Sequence, residues 1–207
     1  MKKSNLGQVF GAILLFVLVG SMIHTKLIQN VDQFGFNLMK KIETTNVDNI
    51  CYFLRQFGST KAYIFFSIII IVIAAMKKKV MNGVYLLITV LTSRVLVTIL
   101  KGFYDRPRPI TAFYHESGSS FPSGHALMAT CFFFTLCFVL MITFPTLQIY
   151  KNKINLIAIL LILLISLSRI YLNVHHVSDI VAGWCSGYVW YVICKNTYLF
   201  LLRNRQF

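Results

Sequence analysis

Long apolar runs alternate with short polar stretches along this chain of 207 residues. A helix needs about 20 mostly apolar residues to cross a hydrocarbon core of roughly 30 Å. Six runs approach that length, and they occupy residues 8–25, 59–76, 80–100, 124–145, 155–172 and 177–200. The pattern predicts an all-α integral membrane bundle of six transmembrane helices, formed by a single domain over residues 1–207.

The first apolar run follows Met1-Lys2-Lys3, and a secretory signal also has a basic start of this kind. No convincing small-residue cleavage site follows the run. A membrane anchor is therefore the preferred interpretation, with a cleaved signal as the alternative.

Residues 26–58 form the longest segment between two predicted spans. Apolar residues recur there at intervals of three or four, which is the spacing of one helix face: Leu27, Val31, Phe34, Leu38 and Ile42. One interpretation is a short amphipathic helix that lies in the outer membrane interface and shapes a lipid entrance. The alternative is a loop that merely covers the bundle.

Composition agrees with a membrane location, since 57% of the residues are hydrophobic, 13% are charged and the mean hydropathy is +0.71. The net charge of +14 does not indicate nucleic acid, because the basic residues are spread between apolar runs and form no continuous basic face. The five cysteines have no metal-type spacing, and four lie inside predicted spans, where cysteine behaves as a small apolar residue.

Charge sign predicts the topology. Cytoplasmic loops accumulate Lys and Arg, and one set of loops and ends holds Lys2, Lys3, Lys77, Lys78, Lys79, Lys151, Lys153, Arg203 and Arg205. The opposite set, with the helix ends that border it, holds all six acidic residues: Asp32, Glu43, Asp48, Asp105, Glu116 and Asp179. Both termini are therefore expected on the cytoplasmic side of the cell membrane, and the acidic loops on its outer face.

Three outer segments carry most of the residues that are costly near a membrane. They read KGFYDRPRP over 101–109, PSGH over 122–125 and SRIYLNVHHVSD over 168–179. Together they resemble the type-2 phosphatidic acid phosphatase superfamily, whose signature is K-x6-R-P, then P-S-G-H, then S-R-x5-H-x3-D. Every fixed position is present in order. The arrangement of six spans extends the resemblance to the whole chain, and it is most similar to bacterial phosphatidylglycerophosphatase B and undecaprenyl-diphosphatase relatives.

The resemblance implies a covalent mechanism in two steps. His175 would attack phosphorus and form a phosphohistidine. His125 would protonate the departing lipid oxygen and then activate water. Asp179 follows His175 by four residues, so the two share one helix face and the carboxylate can orient the ring.

Phosphoryl transfer depends mainly on positioning and on neutralising the phosphate oxygens. Lys101, Arg108 and Arg169 offer three cations for this purpose, so no metal or other cofactor is expected. Arg forks hold two oxygens at once, whereas Lys acts as a point charge; each cation taken alone could instead snorkel to lipid headgroups. Ser123 and Gly124 open the fourth span, where backbone N–H groups favour anions, although an ordinary helix cap explains Ser123 equally well.

Four further residues are accessory candidates for the site: Pro122, Ser168 and His176 within these segments, and Glu116 between the first two. His115 and Glu116 could select a headgroup or assist proton transfer, and ordinary loop surface is the simpler interpretation for both. His176 is three residues from Asp179 and could compete with His175 for it, but the five-residue gap after Arg169 favours His175.

Two further arginines lie near the motifs. Arg106 also precedes a proline, but it breaks the family spacing and is expected to be a peripheral headgroup contact. Arg94 lies seven residues before Lys101, on nearly the same helix face, and is expected to face the bundle as a paired cation. Three positions depart from the family pattern, where relatives often have an aromatic residue, proline and glycine: His176, Val177 and Asn173.

The expected function is hydrolysis of phosphatidylglycerol phosphate, phosphatidate or undecaprenyl pyrophosphate. Lipid phosphates and membrane lipids are the expected partners, nucleic acid is not, and the sequence leaves the oligomeric state open. A vanadium haloperoxidase would share the motifs but would be soluble. A transporter or scramblase could use intramembrane Arg94 and outward histidines, but it leaves the spacing of His175 and Asp179 unexplained. A member of the same family that binds lipid phosphate without hydrolysis is the remaining alternative.

Overall fold

The computed structural model describes residues 3–204, with side chains from residue 6 onward. Lys2 and Arg205, which support the topology prediction, lie outside the described residues, as does the side chain of Lys3. The described chain contains helices and no strand. The eight α-helices are α1 (Lys3–Met22), α2 (Lys26–Lys40), α3 (Thr45–Phe57), α4 (Thr60–Met76), α5 (Val80–Phe103), α6 (Gly124–Thr143), α7 (Lys151–Tyr171) and α8 (Val177–Asn204), and a 3₁₀ helix over Pro145–Tyr150 leads into α7.

Four helical segments are each long and apolar enough to cross a membrane: α5, α6, Pro145–Tyr171 and α8. Two bent pairs reach the same length together, Leu6–Met22 with α2 at an angle of 98° and α3 with α4 at 57°. The structure therefore has four to six candidate spans. The predicted runs 8–25 and 59–76 correspond to α1 and α4, and the all-α membrane fold is confirmed.

Helix α6 forms the centre of the bundle, because it packs against α5, α7 and α8. Glycines on α8 allow this close approach. A Cβ at Gly187 would lie 2.5 Å from the carbonyl oxygen of Leu127, and a Cβ at Gly183 would lie 2.8 Å from that of Ser123. Small residues at such crossings are typical of membrane helices, whose association depends on close van der Waals packing.

Residues 26–58 form two helices instead of one, because Thr44 interrupts the segment and its side chain caps α3 by accepting from the Val47 N–H. The apolar stripe of α2 points away from the bundle, and Phe34 at its centre is 70% exposed. The protein-facing side of α2 carries Asp32, which is buried, and Gly35. The predicted amphipathic character is therefore confirmed, and the stripe that defines it is exposed on the outside of the bundle.

Candidate active site

The three sequence motifs meet at one end of the bundle, where α5 ends, α6 begins, α7 ends and α8 begins. The loop over residues 104–123 crosses this end and ties the motifs together. In particular, Arg108 in the loop donates to the Val174 carbonyl oxygen over 2.9 Å. The two lysines Lys78 and Lys79 lie at the other end, where the Lys79 Nζ donates to the Ile142 and Thr143 carbonyl oxygens.

His175 lies in the segment between α7 and α8 and is 2% exposed. Its Nδ1 faces Oδ2 of Asp179 at 3.5 Å, which is an ion-pair distance, and makes no hydrogen bond within the described residues. Its Nε2 lies 3.4 Å from Nη1 of Arg108. Burial lowers the pKa of His175 to about 4, although Asp179 opposes the shift. The ring is therefore neutral at pH 7, which leaves a lone pair available on one nitrogen.

His176 does compete for Asp179. Its backbone N–H donates to Oδ2 over 2.9 Å and its Nδ1 lies 3.3 Å from the same oxygen. Its ring is 25% exposed, whereas the His175 ring is 1% exposed. The carboxylate thus contacts both histidines, and His175 is the one enclosed by the site.

Glu116 lies between two of the predicted phosphate-binding arginines. Its carboxylate accepts from Nη2 of Arg169 over 2.6 Å and lies 3.4 Å from Nη2 of Arg108. Burial would raise the pKa of Glu116, but Arg169 and the other nearby positive groups lower it to about 2. Ordinary loop surface, the simpler expectation for Glu116, is wrong, whereas His115 beside it is exposed.

Arg169 is fully buried at the C-terminal end of α7, and its Nε and Nη1 make no hydrogen bond to any residue from 3 to 204. Unpaired buried donors are costly, so this arginine is arranged for an acceptor beyond Glu116. The Tyr114 ring lies against it, with the ring centroid 5.6 Å from Cζ. Tyr114 also stacks on Arg55 of α3, whose Cζ lies 4.0 Å from the ring centroid.

The loop carbonyls hold the other two cations in place. Nζ of Lys101 donates to the Ser119 carbonyl oxygen over 2.6 Å. Arg108 donates through Nε to the Gly118 carbonyl oxygen over 3.1 Å. All three predicted cations, Lys101, Arg108 and Arg169, therefore contact residues 116–119 of one loop.

His125 contacts a partner that the sequence did not indicate. Its Nε2 lies 3.3 Å from the backbone carbonyl oxygen of Arg55, at the end of α3. A carbonyl can only accept, so Nε2 carries the proton in this contact. Gly58 packs against the same ring, since a Cβ there would lie 3.3 Å from Cδ2 of His125.

Ser123 differs from its predicted role. Its N–H donates to the Asp179 carbonyl oxygen over 3.0 Å and is not free for phosphate, because α6 and α8 cross at this point. Its hydroxyl accepts from the Ala126 N–H and caps α6. Gly124 allows α5 to approach, since a Cβ would lie 3.2 Å from Val97. Pro122 is buried, preceding the cap.

Ser168 is also turned away from the site. It is 2% exposed, and its hydroxyl donates to the Ile165 carbonyl oxygen over 2.7 Å within α7. Asn173, which replaces a common glycine, has φ of 51° and donates to the Thr111 hydroxyl. Asparagine is enriched in this left-handed region, which explains why it stands there.

Both predictions for the additional arginines are wrong. Arg106 is 5% exposed and forms two ion pairs of 2.6 Å, with Asp32 and with Asp179. Arg94 is exposed on α5, because Ser93 and Val97 occupy the side of the helix that is buried in the bundle. It forms no ion pair within residues 3–204.

A cavity of about 480 Å³ with a mixed polar and apolar wall opens beside Arg108 and His176. Its wall includes His24, Gln29 and Gln33 at the α1–α2 end of the fold. Within residues 3–204, no three His, Cys, Asp or Glu side chains are grouped as metal ligands.

Fold and site together define a multi-pass helical membrane protein with buried arginines and histidines gathered at one end. The PAP2 superfamily model matches residues 82–203, and the chain belongs to that family. It is 29% identical over 194 residues to phosphatidylglycerophosphatase B of Bacillus subtilis (strain 168), covering 93% of this chain and 96% of that one. It is 27% identical over 187 residues to an undecaprenyl-diphosphatase of Sulfolobus acidocaldarius, covering 84% of each.

Two solved structures share the fold. The crystal structure of the transmembrane PAP2-type phosphatidylglycerolphosphate phosphatase from Bacillus subtilis has a TM-score of 0.87 and 27% identity, with 92% of this chain and 95% of that chain covered. Aquifex aeolicus LpxE has a TM-score of 0.60 and 27% identity, with 78% and 92% covered. The likeness to the first structure extends over nearly the whole fold.

Proposed function

We propose that this protein is a membrane lipid phosphatase that works through a phosphohistidine on His175. The observation that carries the proposal is the pairing of a buried, neutral His175 with Arg169, a fully buried arginine that has two unpaired donors. A nucleophile needs the first feature and a phosphoryl group needs the second. The names of the similar proteins support lipid phosphates as substrates.

In the first step, Nε2 of His175 attacks phosphorus while the bond to the lipid oxygen breaks. Nδ1 keeps its proton toward Asp179, so the carboxylate stabilises the positive ring of the phosphohistidine. Arg108 and Arg169 neutralise the phosphoryl oxygens, and Lys101 adds a third positive charge nearby. These groups suffice for the scheme, so the proposal includes no metal.

His125 starts the cycle protonated on both ring nitrogens, gives one of these protons to the departing lipid oxygen, and regains a proton from the water that cleaves the P–N bond. Because Nε2 of His125 is engaged with the Arg55 carbonyl oxygen, Nδ1 is the nitrogen that exchanges the proton. The second step releases inorganic phosphate and returns His175 to its neutral form. Atoms and protons balance over the two steps.

The substrates proposed are phosphatidylglycerol phosphate, phosphatidate and undecaprenyl pyrophosphate. The cavity beside Arg108 and His176 has room for the remaining headgroup, and polar side chains such as Gln29 and Gln33 stand in its wall. The charge distribution of the loops favours a site on the outer face of the cell membrane, with cytoplasmic termini. A lipid-phosphate binding or transport protein without hydrolysis is the alternative.

The test is phosphate release by purified protein in detergent with EDTA, from each of the three lipids. Wild type is compared with His175→Ala, with His176→Ala and with His115→Ala, an exposed loop histidine that serves as the control. Release that is lost only in His175→Ala, with a ³²P label retained on wild type after acid-free quenching, supports the mechanism. Folded wild type that binds these lipids without releasing phosphate favours the alternative.

A further inference from the structure

A buried ion-pair network lies directly behind Asp179, on the side away from His175. Arg106 donates through Nη1 to Oδ1 of Asp179 and through Nη2 to Oδ2 of Asp32, over 2.6 Å in each case. Ser178 joins them, since its hydroxyl lies 2.7 Å from Nη1 of Arg106 and 2.9 Å from both oxygens of Asp32. All four residues are 6% exposed or less.

The two carboxylate oxygens of Asp179 have different partners in this network. Oδ1 is bound by Arg106, while Oδ2 faces the ring of His175 and accepts from the His176 N–H. One arm of the guanidinium fork holds Oδ1 of Asp179, and the other arm is anchored on Asp32. Without the fork, Asp179 could rotate its oxygens away from His175.

Asp32 belongs to α2, the helix whose apolar stripe is exposed on the outside of the bundle, so the network ties a peripheral helix to the site. Asp32 also accepts from the Ser178 backbone N–H over 2.9 Å. Gly35, one turn further along α2, packs so closely on Val177 that a Cβ would lie 2.1 Å from its Cγ2. Helix α2 is thus docked on the first residues of α8, immediately before Asp179.

The charges explain why two carboxylates surround one arginine. If Arg106 had Asp179 as its only partner, its positive charge would offset the negative charge that His175 needs when it becomes positive. Asp32 supplies a second negative charge and neutralises Arg106. Asp179 therefore keeps its charge for the histidine while its geometry stays fixed.

We propose that Arg106 and Asp32 are positioning residues for Asp179, and that α2 holds the catalytic segment in place through them. The proposal rests on the proposed function and extends it to two residues outside the family signature. Neither residue touches the phosphoryl group. Their loss is therefore expected to lower kcat more than it changes KM.

The variants are Asp32→Asn, Arg106→Gln and the double variant, with Asn37→Ala as the matched control, because Asn37 is an exposed polar residue on the same helix. Asp32→Asn is expected to lower kcat about 10-fold and Arg106→Gln about 100-fold, with KM within about threefold. In Arg106→Gln two buried carboxylates face each other without a cation. Removing the Asp32 charge relieves this repulsion, so the double variant is expected to lose less kcat than the product of the two single losses.

Hydrogen exchange provides a readout that does not depend on activity. Loss of the tether is expected to speed amide exchange in residues 26–40 and 174–180 of Asp32→Asn, and not in Asn37→Ala. If wild type is active, and Asp32→Asn has the same kcat and the same amide exchange as Asn37→Ala, the positioning role is overturned. A wild type without phosphate release refutes the proposed function and the catalytic role with it, while unchanged exchange in Asp32→Asn separately refutes the docking.

Discussion

Gly58→Ala tests whether the end of α3 positions His125. Gly58 ends α3 with φ of −82° and ψ of 8°, a conformation that alanine adopts without strain, so any effect comes from the added methyl group. That methyl group would lie 2.6 Å from Cγ2 of Ile165, 3.1 Å from the Leu54 carbonyl oxygen and 3.3 Å from Cδ2 of His125. The contacts enclose it on several sides.

The magnitude follows from these distances. Ordinary van der Waals contact requires the Gly58 region to move about 0.8 Å from Ile165. The hydrogen bond from His125 to the Arg55 carbonyl oxygen is already 3.3 Å long, and a shift of this size would break it. Misplacement by about 1 Å can cost 10²-fold in rate, so kcat is expected to fall about 10- to 100-fold.

The assay is steady-state phosphate release, with Gly11→Ala as the control, because a Cβ at Gly11 meets no atom within 4 Å. Overpacking of this kind costs about 1–3 kcal/mol of stability, so thermal unfolding is measured to confirm that each variant is folded at the assay temperature. A folded Gly58→Ala whose kcat lies within about twofold of Gly11→Ala would refute the role assigned to α3.

Three further predictions concern the site. Asp179→Asn keeps the side-chain shape but removes its charge, so kcat is expected to fall about 10- to 100-fold, and a loss below about threefold in phosphate release would contradict the orienting role. Arg108→Lys keeps the charge but loses the fork beside His175, so KM is expected to rise about 10-fold; an unchanged KM argues against bidentate binding. The arginines lower the pKa of Glu116 to about 2, so the carboxylate stays ionised throughout the range from about pH 5 to pH 8. The kcat/KM of Glu116→Gln divided by that of wild type is therefore expected to be constant over this range. A ratio approaching one toward the acidic end would show that Glu116 becomes protonated there.

The spans could be predicted because each depends on a local property, the length of an apolar run. The division of residues 26–58 also left a local signal, since Thr44 precedes a helix whose first turn contains Asp48. The apolar stripe of α2 obscured that signal, because it continues to Ile42 and suggests one uninterrupted face. Residue spacing was less reliable for Arg94, which shares a helix side with Lys101 but lies outside the buried strip of α5.

The motif residues could be predicted as a group, whereas their partners could not. Asp32 and Asp179 are 147 positions apart in the sequence, and only the fold brings both to Arg106. The contact of His125 uses a backbone carbonyl of Arg55, and every residue has such a group. Family spacing selected Arg108 over Arg106, but it carries no information about what Arg106 does instead.

The two acidic partners of the site arginines differ in exposure, and this difference separates a permanent ion pair from an exchangeable one. The Asp32 side chain is 4% exposed against Arg106, so releasing it would leave a buried charge without a partner, which is strongly destabilising. The Glu116 side chain is 31% exposed against the fully buried Arg169, so water can solvate it when it leaves. The negative charge of an entering phosphate would then take the place of the Glu116 carboxylate beside Arg169. We therefore expect Glu116 to be a counterion that substrate can displace, and Asp32 to remain in place through the reaction.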